Sequence, residues 1–140
     1  MALTNREIVQ AVFDASAKKD WDTVKSFLHS DIHVFEPDSL PYAGVITGPD
    51  NFIELNQRVF NTWADSKHTI DAIVADGDHV VILGNMAGSG KATGQAFSVP
   101  LAAVWRLEGG KVVEVRPFSF DTKVMRSEWR RVGKGGRCRW

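Results

Sequence analysis

The chain has 140 residues, 44% of them apolar, with seventeen basic and seventeen acidic side chains that cancel. That length and composition suit one domain with its own core and argue against disorder. The charge balance argues against nucleic acid or an anionic membrane as a partner, and the longest apolar runs fall well short of the ~20 residues that cross a bilayer. A single cysteine, Cys138, has no internal partner for a disulfide. With an N-terminus that lacks the apolar core of a signal peptide, it predicts a cytoplasmic protein.

Thr4 followed by Glu7 has the spacing of a capping box and opens a first helix, along which Ile8, Val9, Val12, Phe13 and Ala15 recur at helical spacing. Asp20 restarts a short helix through Trp21, Val24, Phe27 and Leu28. Asp31–Glu36 is the first predicted strand. Alternation puts Ile32, Val34 and Glu36 on one face and His33 and Phe35 on the other. Pro37 ends the strand, because it has no N–H to give to a ladder. A carboxylate closing an apolar face is the most informative feature of this sequence. It is either a reactive acid looking into a cavity, or a strand-end acid that caps loop backbone or pairs with Arg116.

After the loop, Gly48–Pro49–Asp50 starts a third helix, with Phe52, Leu55, Val59 and Trp63 as its main apolar stripe and its end near Ala64. From Lys67 the period changes to two. Strands are predicted at about Lys67–Ala75, His79–Ala87, Gln95–Leu107 and Lys111–Phe120, joined by Asp76–Gly77–Asp78, a Gly/Ser-rich reach and Glu108–Gly109–Gly110. The pattern is α+β: three helices framing a short strand, then an antiparallel meander. In the Gln95–Leu107 strand, Phe97, Val99, Leu101, Ala103, Trp105 and Leu107 share one face. Ala96, Ser98, Pro100, Ala102 and Val104 share the other, with Arg106 its one charge. A sheet apolar on both faces predicts a homodimer through the sheet. Asp121–Thr122 caps a predicted final helix, Lys123–Arg131. Residues 1–131 form one domain, and 132–140 a basic tail.

The order of elements resembles the cone-shaped nuclear-transport-factor-2-like superfamily, and within it the SnoaL-like and ketosteroid-isomerase-related branch. The resemblance rests on Ile8–Val9–Gln10 through Lys19–Asp20–Trp21–Asp22 to Val34–Phe35–Glu36–Pro37. It rests also on Pro100–Leu101 through Gly110–Lys111–Val112–Val113 to Phe118. It implies three N-terminal helices packed on a strongly curved, mostly antiparallel sheet, around a cavity for a small hydrophobic organic ligand. In the isomerases an aspartate before a proline at the end of the first strand moves the proton, and here Glu36 stands in that place. The two oxyanion donors, a tyrosine on the first helix and a protonated aspartic acid on a late strand, fall at Val12 and Ala102. Loss of one such donor costs about 3–4 kcal/mol of barrier, so steroid isomerisation is not expected. The polyketide-cyclase relatives use a carboxylate on the last strands, often near a His or Arg. In this chain Arg116 lies there with Glu114, Phe118 and Phe120 on its alternating face, and Asp121 follows. The Leu40–Pro41–Tyr42–Ala43–Gly44 loop looks more like the SnoaL-like branch.

The resulting expectations are Glu36 and Arg116 as catalytic candidates and Tyr42, Val12, Trp63, Ala102, Phe118 and Phe120 as ligand contacts. Asp38 is read first as an Asx-turn acid, Asp121 as a helix cap and Asp14 as solvent-exposed. His29, His33, His68 and His79 have no recognisable metal-ligand spacing, and no cofactor is implied. If the protein is an enzyme, Glu36 moves a proton beside a carbonyl or hydroxyl in an isomerisation, dehydration, cyclisation or epoxide hydrolysis. The alternatives are a non-catalytic ligand-binding domain and a dimerisation module with a filled interior.

Overall fold

The computed structural model describes residues 3–36, 44–91 and 94–120. Three helices, α1 (Asn5–Ala17), α2 (Trp21–Ser26) and α3 (Pro49–Thr62), accompany six strands. These are β1 (Leu28–Glu36), β2 (Gly44–Thr47), β3 (Ala64–Asp76), β4 (His79–Ser89), β5 (Ala96–Glu108) and β6 (Lys111–Ser119). The α+β class therefore stands. Asp38, Tyr42, Asp121, the predicted final helix and the basic tail lie outside the described residues. No helix among the described residues is long and apolar enough to cross a membrane.

Local chemistry sets the helix starts. The Thr4 hydroxyl accepts from the Glu7 N–H (3.2 Å), and the Glu7 carboxylate accepts from the Thr4 N–H (2.9 Å), closing the capping box at both ends. Those bonds hold the Glu7 carboxyl below its ordinary value. Asp20 accepts from the N–H and hydroxyl of Thr23 and starts α2. Helix α3 begins at Pro49 after Gly48, without a side-chain cap; its first-turn Asp50 pairs with Lys25 of α2 at 2.9 Å.

The strand order is β2-β1-β6-β5-β4-β3, with β1 parallel to β6 and every other pair antiparallel. Several features differ from the sequence reading. Strand β1 begins at Leu28 and β3 at Ala64, each running straight out of the preceding helix end. Strand β2 was not anticipated: four residues carry too little alternation to register, and what makes them a strand is pairing with β1, Glu36 against Gly44 and Val34 against Ile46. Strand β3 also carries a bulge. Ile70 pairs with Gly84 but Ala72 pairs with Leu83, so Asp71 is the extra residue and the parity of β3 changes there. Ser66, His68 and Ile70 share the inner face before the bulge; Ile73 takes it afterwards.

The core lies between the helices and one face of the sheet. Val9, Val12, Phe52 and Leu55 from the helices meet Ile32, Val34, Val80, Ile82, Val99 and Trp105. Along β5 the alternation behaves as read. Phe97, Val99, Ala103, Trp105 and Leu107 are buried, while Ala96, Ser98 and Pro100 are exposed.

Candidate functional site

A cavity of about 800 Å³ opens between α1, α3 and the inner face of the sheet. Its deeper walls are apolar, from Val12, Phe13, Phe52, Ile82, Ala103 and Trp105. Arg6, Asp14, Lys67 and Asp71 also line it, but all four are exposed and belong to its rim, where α1 approaches the edge strand β3.

Glu36 is part of this cavity. It follows Ile32 (0% exposed) and Val34 (2% exposed) on the same face of β1, so the alternation that buries those two carries the carboxyl inward. No side chain among the described residues bonds it. Desolvation pushes it up to about 7, which leaves it close to half-protonated near neutral pH. An acid in that state can accept or return a proton.

Arg116 is elsewhere, which corrects its assignment to the same site. Its guanidinium lies 3.9 Å from the centroid of the Phe35 ring, and its Nε donates to the Glu114 carboxylate at 3.1 Å. Phe35 alternates with Glu36, so the two are separated by the thickness of the sheet, and the proposed Glu36–Arg116 pairing does not form. The cause is the parity of β6: Val115, Pro117 and Ser119 line the cavity, leaving Glu114, Arg116 and Phe118 on the outer face.

The remaining candidates divide in the same way. Val12 lines the cavity and is buried. Ala102 is a correction by one residue: Ala103 of β5 faces the cavity and Ala102 pairs with Phe118 on the other side. Neither Val12 nor Ala103 can donate a hydrogen bond, so the inference drawn from apolar residues at the donor positions survives the shift. Trp63 is buried in the core against the Phe97 ring (5.3 Å) and is not a cavity wall. Phe118 and Phe120 are 57% and 85% exposed and stand away from the cavity. Asp14 is exposed as expected and accepts from the Gln10 amide.

Sequence reasoning missed His68. It lines the cavity from β3, and its ring packs 5.7 Å from that of Phe60. Its Nε2 is buried with no hydrogen-bond partner among the described residues, and burial lowers its pKa, favouring the neutral imidazole. The signal was present in the alternation Ser66–His68–Ile70, but only as a short run on a strand whose inner side the sequence leaves open. The Trp105 indole N–H is likewise buried without a partner. Among the described residues no three of His, Cys, Asp and Glu group as a metal site would require.

A family model described as the SnoaL-like domain matches residues 9–115. Among solved structures, an NTF2-like protein from Burkholderia thailandensis is 28% identical, with a TM-score of 0.79 over 86% of this chain and 92% of that one. A protein from Jannaschia assigned as a SnoaL-like polyketide cyclase is 21% identical, TM-score 0.76, over 86% of this chain and 88% of that one. A protein of ketosteroid isomerase-like fold from Catenulispora acidiphila, in complex with trimethylamine, is 22% identical, TM-score 0.70, over 82% and 86%. The last two likenesses speak for the fold alone. No curated protein sequence matches the chain.

Proposed function

Given that the chain belongs to the SnoaL-like domain family, we propose that it binds a small, largely hydrophobic organic molecule in the cavity and moves a proton on it with Glu36. The observation that carries this reading is a carboxyl with no side-chain partner among the described residues, pushed up to about 7, on the wall of a cavity of about 800 Å³ whose deeper walls are apolar. A cavity of that volume also argues against a filled dimerisation module. Isomerisation, dehydration, aldol-type cyclisation and epoxide hydrolysis all need such a group and no cofactor. Steroid isomerisation is disfavoured, since Val12 and Ala103 offer no oxyanion donor.

The test is a screen of small carbonyl compounds and epoxides against wild type and Glu36→Gln. Turnover that falls by about 100-fold or more in the variant supports the reading. Equal turnover in both defeats it. A second reading, binding without catalysis, is favoured by one observation: the sole arginine on the β6 face nominated for the site, Arg116, lies outside the cavity. Saturable binding with no turnover of any compound would select it.

We also propose that a second copy of the chain covers the outer face of the sheet. Ala102, Val104, Leu83 and Phe118 give that face apolar area, and Arg106, Glu114 and Arg116 put both charges on it. A two-fold axis brings such a mixed patch against itself with opposite charges matched. Sedimentation equilibrium is expected to give a dimer for wild type and a folded monomer for Val104→Glu. A wild-type monomer at micromolar concentration would end this proposal.

A further inference from the structure

Among the described residues three polar groups of the cavity have no hydrogen-bond partner: the Glu36 carboxyl, the His68 Nε2 and the Trp105 indole N–H. The first two come from strands far apart in the sheet. Glu36 ends β1, and His68 lies on β3, the last strand in the order β2-β1-β6-β5-β4-β3. We propose that His68 is a ligand-recognising residue of this cavity and that it selects an uncharged, hydroxyl-bearing molecule, such as a phenol or an enol. The inference deepens the binding reading above and rests on it.

Three observations support it. A buried ring nitrogen with no partner costs folding free energy unless something bonds it, so such atoms concentrate where a ligand completes them. Phe60, tilted against the imidazole, gives an aromatic or planar molecule a surface to lie against while its polar atom reaches Nε2. The charges are distributed to match. Every cation lining the cavity, Arg6 and Lys67, is exposed at the rim beside Asp14 and Asp71, so an anionic ligand finds no cation in the interior. Desolvation acts in the same direction, keeping His68 neutral and Glu36 near half-protonation.

A hydroxyl group fits this pair for a chemical reason. A neutral imidazole nitrogen is a donor or an acceptor according to tautomer, and a carboxyl is a donor or an acceptor according to protonation. A hydroxyl both donates and accepts, so it satisfies either partner in either state. A ketone only accepts, and a hydrocarbon does neither.

The test uses 2-naphthol, naphthalene and 2-naphthoate as probes of one shape, titrated calorimetrically into the full chain. Wild type is expected to bind 2-naphthol about fivefold or more tighter than naphthalene, as one neutral hydrogen bond allows, and to bind 2-naphthoate most weakly. In His68→Phe the preference for the hydroxyl should shrink to within about twofold, with naphthalene affinity kept, and His68→Gln should restore part of it. In wild type, the nitrogen-15 resonances of the His68 ring should move with 2-naphthol and stay in place with naphthalene, a readout that needs no variant to fold. Three results overturn the inference: a hydroxyl preference that survives His68→Phe, ring nitrogens that ignore 2-naphthol, or 2-naphthoate as the tightest probe. If naphthalene binds and His68 stays silent, the cavity reading stands and this inference falls. If none of the three binds wild type, both fall together.

Discussion

Glu36→Gln is expected to gain stability over wild type as the pH rises, by about 3 kcal/mol between pH 4 and pH 8. In the folded chain the carboxyl titrates at about 7, against 4.5 for an unburied glutamate. Each pH unit of that separation is worth ~1.4 kcal/mol. The folded state holds the proton more tightly than the unfolded state, so stability falls as the pH rises through the window from 4.5 to about 7 and is flat above it. Below 4.5 both states carry the protonated acid, and glutamine is close to its isostere there. His68 acts with the opposite sign. Its folded pKa lies below the ordinary 6.5, so it removes stability as the pH falls below that value, in wild type and variant alike. Urea titrations of both proteins from pH 4 to pH 8 measure the difference directly. Parallel curves would mean that Glu36 is solvated or ion-paired, and the proton-transfer reading would lose its foundation. A gain in stability coupled to a loss of turnover is what a strained functional acid produces.

Gly84→Ala should destabilise the fold by about 3 kcal/mol or more, at or above the upper end for overpacking. A Cβ at position 84 would lie 2.0 Å from the Thr69 carbonyl oxygen, 3.2 Å from its carbon and 3.4 Å from the Ile70 Cα. All three are backbone atoms, so no side-chain rotation relieves the contact, and β3 must move away from β4 at the bulge. Gly88→Ala is the control. Its closest contacts are 3.2, 3.3 and 3.4 Å, and two of the three are side-chain atoms of Trp63 and Phe97, so a cost of about 1 kcal/mol is expected. Similar losses at the two positions in urea unfolding would contradict the account of the bulge. Displacing β3 also moves His68, two residues before Ile70, so Gly84→Ala should weaken 2-naphthol binding more than Gly88→Ala does.

Much of this protein is written locally. The Thr4–Glu7 box, the Asp20 cap and Pro49 start the three helices through bonds and dihedral preferences within four residues. Alternation placed Ile32, Val34 and Glu36 together, and separated Phe97, Val99, Ala103 and Trp105 from Ala102 and Val104. Period-two patterning fixes which residues share a side, because successive side chains leave a strand in opposite directions. It does not say which side of one strand continues which side of the next. That depends on register, and register is set by pairing between distant segments. Arg116 lies outside because Val115 pairs with Trp105 and Val34, so Arg116 stacks on Phe35 instead of meeting Glu36. Ala103, which alternation already set on the face of Trp105, lines the cavity in place of Ala102, the position the resemblance had pointed to. Strand β2 exists only because β1 lies beside it, and His68 became a cavity residue only when the β3 edge came to face α1 and α3. Local patterning carried the three helices and the longer strands, and put an acid on a buried face. The tertiary structure alone decided which faces meet, and so what that acid shares its cavity with, because a cavity is bounded by residues that no local pattern links.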